Sequence, residues 1–121
     1  MLDGRWSVEG TEQAIAEWFR LGATRDRKIE VVACANDAMA GAARRVLARY
    51  GVDMSQVPLI GCDGLEHEGQ VMLAKDEIQA TVVVPATTPK ALELLSAYWA
   101  AGERTEGAAF IDVTSLPALA P

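Results

Sequence analysis

The segment Lys28-Ile29-Glu30-Val31-Val32-Ala33-Cys34-Ala35-Asn36-Asp37-Ala38-Met39-Ala40 decides how the rest of the chain is read. Its first half, Ile29 to Ala35, is a nearly continuous apolar run with β-branched residues, the composition of a strand covered on both faces. It reads as a central parallel strand. Asn36 and Asp37 then end the strand and open a helix. The apolar stripe of that helix is Met39, Ala42, Ala43, Val46, Leu47 and Tyr50, and Gly51 supplies the stop.

The same alternation continues in both directions. Upstream, Ala14, Ile15, Trp18, Phe19 and Leu21 recur at helical spacing behind Ser7, an N-cap residue, and a charged loop from Gly22 to Lys28 leads into the strand. Downstream, Val57 to Cys62 reads as a second strand, left through Asp63-Gly64. Glu66 to Lys75 is a weaker helix with Val71, Met72 and Ala74 inward, and Ala80 to Val84 is a third strand. Thr88-Pro89 places a cap and a first-turn proline ahead of the stripe Leu92, Leu95, Tyr98 and Trp99, which closes at Gly102. Phe110 to Val113 is a fourth short strand before an apolar tail. Strands alternating with helices of this length predict a parallel sheet with helices on its faces.

Composition removes several function classes. With 121 residues, half of them apolar, the chain makes one domain at most. A net charge of −6 with eleven scattered basic residues leaves no positive stripe for a nucleic acid. No apolar run approaches the ~20 residues of a membrane helix, and Met1 to Arg5 is followed by no apolar signal core. Two cysteines and one histidine are too few for a structural zinc site. Cys34 and Cys62 each sit in a strand-like apolar run and read as core thiols, not a disulfide, and they say nothing of compartment.

In an open parallel sheet a ligand sits beyond the carboxyl ends of the strands, which here selects Asn36-Asp37, Asp63-Gly64 and Val84-Pro85. An amide that donates and accepts, beside a carboxylate that accepts from two hydroxyls, suits an uncharged polyhydroxylated ligand. Trp6, just before the first helix, offers an indole for the apolar face of a sugar ring. Each residue also has a plainer reading: an aspartate at such a junction serves as an N-cap, and a tryptophan serves as packing. No catalytic constellation is expected. The single histidine, His67, lies in the polar run Glu66-His67-Glu68 without a nucleophile, and neither a phosphate loop nor a dinucleotide fingerprint is present. A glycosidase-like alternative would need Asp37 and Asp63 to converge on one substrate.

Three blocks, Lys28 to Ala40, Pro58-Leu59-Ile60-Gly61-Cys62-Asp63-Gly64 and Ile78-Gln79-Ala80-Thr81-Val82, together with Arg5-Trp6-Ser7, resemble the C-terminal third of type I periplasmic sugar-binding proteins. The galactose/glucose and ribose binders are nearest, and the likeness runs from Trp6 to Val113. It implies an incomplete three-layer, Rossmann-like α/β lobe in one partial domain, 1–121. Residues 7–84 would belong to the C-terminal lobe, 85–105 would hold a helix crossing back to the N-terminal lobe, and 109–121 a returning strand and tail. It implies monosaccharide binding in a bacterial ABC sugar importer, in the periplasm, with a membrane permease as partner and no enzymatic activity. Trp6 would stack on the sugar, Asn36 and Asp63 would hydrogen-bond its hydroxyls, and Asp37 would cap the helix or stand behind the site. Val84 occupies a position where relatives carry a polar side chain, which leaves the sugar open. Glu30 falls on a calcium ligand of the galactose/glucose binders, but the rest of that loop would precede residue 1, so no metal and no cofactor are expected.

The same fold serves the effector domains of lactose-repressor-family regulators, which carry a Pro-x-Leu-Thr-Thr segment where this chain has Ile78 to Val82 and add a basic headpiece. A truncated lobe acting only as a scaffold is a further alternative. The resemblance also implies that the strand at Val31 to Ala35 lacks a pairing neighbour. A homo-oligomer, or association with the missing N-terminal half, would cover it.

Overall fold

The computed structural model describes residues 1–23, 28–102 and 107–118. Parts of the loop at 22–28, of the region after Gly102 and of the tail therefore lie outside the described residues. The order is α1 (Val8–Arg20), β1 (Val32–Ala33), α2 (Asp37–Arg49), β2 (Leu59–Asp63), α3 (Gly69–Ala74), β3 (Ala80–Val83), α4 (Thr88–Ala101) and β4 (Thr114–Leu116). This is a mixed α/β fold around one four-stranded, mostly parallel sheet ordered β1-β2-β3-β4. Val32 pairs with Leu59 and Gly61 with Thr81 in the parallel ladders, while β4 runs antiparallel to β3 with Ser115 opposite Val82.

The helices begin and end where local chemistry dictates. Ser7 is extended and its Oγ accepts from the Gly10 N–H at 3.0 Å, capping α1. Gly102 closes α4 in the left-handed conformation, its N–H donating to the Tyr98 carbonyl. The core gathers Ile15 from α1, Ala40, Ala43, Val46 and Leu47 from α2, Leu59 from β2, and Ile78. Beside it Phe19 and Tyr50 stack with ring centroids 4.4 Å apart.

Four expectations are corrected. β1 covers two residues, where composition reads as a central strand over 29–35, and it lies at the edge, as the resemblance implies: among the described residues nothing pairs on its far side, and Val31 is 53% exposed. The outward row of the sheet, Val31, Ile60 and Val84, is open to solvent, so the apolar composition that implies burial on both faces is satisfied on only one. The fourth strand is Thr114–Leu116, not Phe110 to Val113, and it is antiparallel. In α3 Met72 and Leu73 turn toward the core, whereas Val71 and Ala74 are exposed, because this short helix starts only at Gly69. The stripe of α4 is not buried at all: Leu92, Leu95, Tyr98 and Trp99 are exposed.

Candidate functional site

The carboxyl ends of β1 and β2 lie side by side and are joined by side chains. Asn36 follows β1 in an extended conformation, and its Oδ1 accepts from the Met39 N–H at 2.8 Å. Capping of α2 thus falls to Asn36, which leaves Asp37, expected either to cap the helix or to stand behind the site, with the second of those places. Its amide Nδ2 remains as a donor.

Asp37 occupies the first turn of α2 and is completely buried. Its Oδ2 accepts from the Gly64 N–H at 2.8 Å, and its Oδ1 accepts from the Thr81 hydroxyl at 2.7 Å. Gly61 and Gly69 both lie flush against this carboxylate, so that a Cβ at either would run into it. The start of α2, the end of β2, the middle of β3 and the start of α3 therefore converge on one buried acid. An acid so placed reaches no ligand, which removes it as the second carboxylate of a glycosidase pair.

Asp63 ends β2, half-buried, with φ +96°, outside the range that L residues favour. Gly64 follows at φ +62°, where a Cβ would meet the Val83 side chain at 2.7 Å. The Asp63 carbonyl accepts from the Val84 N–H at 3.0 Å, and the Gly64 carbonyl accepts from Gln70 Nε2 at 2.9 Å. The Val84 side chain, apolar where a polar one is expected from the resemblance, is exposed.

Trp6 stands in a tight turn with Arg5, both left-handed at φ +55° and +49°, and its side chain is 76% exposed. Gly4, two residues earlier, abuts the start of α2: a Cβ there would meet Met39 Cε at 2.6 Å. Since Met39 is the residue whose N–H Asn36 caps, the turn carrying Trp6 leans on the same end of α2. The structure ties Asn36 and Asp63 together through Asp37 and Gly64, and it brings the Trp6 turn to the neighbouring helix turn.

An apolar cavity of about 490 Å³ lies between β1 and α1 and reaches Gly4 and Met39. Its lining includes Leu2, Ile15, Trp18, Val31, Ala33 and Cys34. Burial pushes the Cys34 thiol above its ordinary pKa, and both cysteines are free. Among the described residues no cluster of histidine, cysteine and acidic side chains has the grouping of a metal site, and no helix is long and apolar enough to cross a membrane. The reading from sequence left Asp37 between a helix cap and a place behind the site, and missed the complete burial of its carboxylate. The signal for it was the set of glycines at 61, 64 and 69, which marks close approach around a buried group.

The chain matches no protein-family model and no curated protein. It does match solved structures. Against the fructose-binding periplasmic domain of a hybrid two-component system the TM-score is 0.78, with 20% identity over 93% of this chain and 36% of that one. Against a Caulobacter myo-inositol binding protein bound to myo-inositol it is 0.70, with 21% identity over 90% and 36%. A transcriptional regulator of the LacI family from Burkhoderia phymatum gives 0.61, with 24% identity over 91% and 38%. The chain spans little more than a third of the length of each. At these identities the likeness is one of fold: the chain has the fold of part of a type I periplasmic binding protein.

Proposed function

We propose that this chain binds a monosaccharide, as the C-terminal part of the solute-binding component of a bacterial ABC sugar importer working outside the cytoplasmic membrane. The observation that supports this reading is the rim: Asn36 at the end of β1 and Asp63 at the end of β2, linked through the bond from the Gly64 N–H to Asp37, with an exposed Trp6 in a turn whose Gly4 abuts Met39 of the same helix end. Two of the similar structures are described as binders of fructose and of myo-inositol, both uncharged polyols, which is the ligand class an amide and an acid suit. In this reading Trp6 stacks on the ring, Asn36 donates through Nδ2 because its oxygen is engaged, and Asp63 accepts from hydroxyls. The reaction is binding alone, without catalysis, metal or cofactor.

The exposed stripe of α4 and the open edge of β1 fit a chain whose second lobe, or a second copy, completes the cleft, and a membrane permease would be the partner of the whole. Half a cleft buries little of a ligand, so the chain by itself should bind far more weakly than the ~8 kcal/mol that micromolar affinity represents. The test is a titration of the labelled chain with fructose and myo-inositol, followed by NMR. Saturable shifts at the Trp6 indole, the Asn36 amide and Asp63 are expected, and Trp6→Ala should weaken binding by on the order of 2 kcal/mol. Shifts confined to other surfaces, or an unchanged affinity in Trp6→Ala, would overturn the assignment. Tight saturable binding would instead refute the half-cleft view.

A second reading has one observation in its favour, the match to the LacI-family regulator. Here the same rim would bind an effector. A basic helix-turn-helix upstream in the same reading frame would decide for the regulator, and a leader with a first lobe would decide for the importer.

A further inference from the structure

We propose that Asp37 is the positioning residue of the candidate site: by accepting from the Gly64 N–H it clamps the Asp63–Gly64 peptide and so fixes the direction of the Asp63 carboxylate at the rim. The proposal rests on the saccharide reading only for what Asp63 would bind; the clamp itself is a property of this chain.

The location of Asp37 is unusual for a first-turn acid. Such a residue ordinarily faces water and interacts weakly with the helix N-terminus. Here Asn36 already caps α2, and Asp37 is withdrawn completely from solvent with each oxygen on a different donor. Burying a carboxylate is unfavourable unless its partners are well placed, and for stability alone an apolar side chain would often serve as well. Its partners point to what it does instead. Gly64 N–H and Asp63 C=O belong to one peptide unit, and both ends of that unit are held, the N–H by Asp37 and the C=O by the Val84 N–H. Holding that plane sets ψ of Asp63 and φ of Gly64 together. Asp63, at φ +96°, is the kind of residue that keeps a left-handed conformation only where its surroundings over-determine it. Gly61 and Gly69 make room for the carboxylate in this position, since a Cβ at either would run into it.

The experiment uses the whole chain, isotopically labelled, with three variants. In the wild type a coupling through the hydrogen bond between the Gly64 nitrogen and the Asp37 Cγ should be present, together with slow exchange of the Gly64 amide. Asp37→Ala should lose both, shift the backbone couplings of Asp63 out of the left-handed range, and weaken fructose or myo-inositol binding by about tenfold or more. Asp37→Asn should largely rescue them, because its Oδ1 still accepts from Gly64 while the Thr81 hydroxyl turns to accept from the amide. Thr81→Val removes the other bond and lowers stability without moving Asp63, a split that a merely structural role would not produce. Unchanged Asp63 couplings in Asp37→Ala, or equal changes in Thr81→Val, would overturn the proposal. If Asp37→Ala does not fold, absence of the wild-type coupling overturns it. If neither saccharide perturbs the wild type, the binding reading fails while the couplings still decide the clamp.

Discussion

Helices α2 and α4 are nearly the same length, and both carry an apolar stripe, yet they fare oppositely. Of the thirteen residues of α2 eight are buried, and of the fourteen of α4 none is. α2 packs against both α1 and the sheet, and its stripe closes the core. α4 leaves the sheet after β3 and presents Leu92, Leu95 and Trp99 to solvent. An apolar stripe therefore states that a helix has a partner somewhere, not that its own chain supplies it. In the proposed function that partner is a second lobe.

The sharpest way to break this comparison is to shorten one side chain in each helix. Leu47→Ala, at a site 2% exposed, should lower stability by about 2–5 kcal/mol through lost burial and the cavity left behind. Leu95→Ala should cost no more than about 0.5 kcal/mol. Urea unfolding followed by circular dichroism measures both. A cost at Leu95 approaching that at Leu47 would show α4 covered in solution, which would make self-association the first thing to examine.

A similar division separates what was legible in the sequence from what was not. The ends of α1, α2 and α4 could be read to within a residue or two because they are set by Ser7, Asn36, Pro89, Gly51 and Gly102, whose effects are local. The strands could not. Ile29 to Ala35 has the composition of a long buried strand, but how much of it joins a ladder depends on neighbours, and among the described residues only β2 pairs with it. Phe110 to Val113 is more apolar than Thr114–Leu116, yet the latter pairs, because register with β3 decides and hydrophobicity does not. At the site, Asn36 and Asp63 were visible as short polar residues at strand ends. Which of Asn36 and Asp37 caps α2 was not: one position along the chain separates the cap from a buried acid, and the packing of Gly61 and Gly69 tells them apart.

Glycines sharpen the same contrast at a smaller scale. Gly61→Ala would push a methyl into the Asp37 carboxylate, where four segments meet, and should cost about 1–3 kcal/mol. Gly102→Ala, at φ +71° and with no described residue within 4 Å of the added methyl, should cost about 1 kcal/mol, from backbone strain. Thermal unfolding of the pair separates crowding from conformation. A harmless Gly61→Ala would mean that Asp37 has room to move, against the clamp.

The smallest effects belong to the caps, and they separate folding from binding at one residue. Asn36→Ala should lower stability by about 1 kcal/mol, because the Met39 N–H loses its acceptor. Thr87→Ala should change almost nothing, since Thr87 precedes α4 without a side-chain cap bond. Asn36→Ser then isolates the second job of the amide: serine caps as well as asparagine, so stability should stay near wild type, while the Nδ2 donor toward a hydroxyl is gone. Saccharide-induced shifts at Trp6 and Asp63 that persist at full strength in Asn36→Ser would leave Asn36 as a cap and nothing more. Their loss in a chain that still unfolds at the wild-type urea concentration would make Asn36 a ligand contact whose oxygen serves α2 and whose nitrogen serves the sugar.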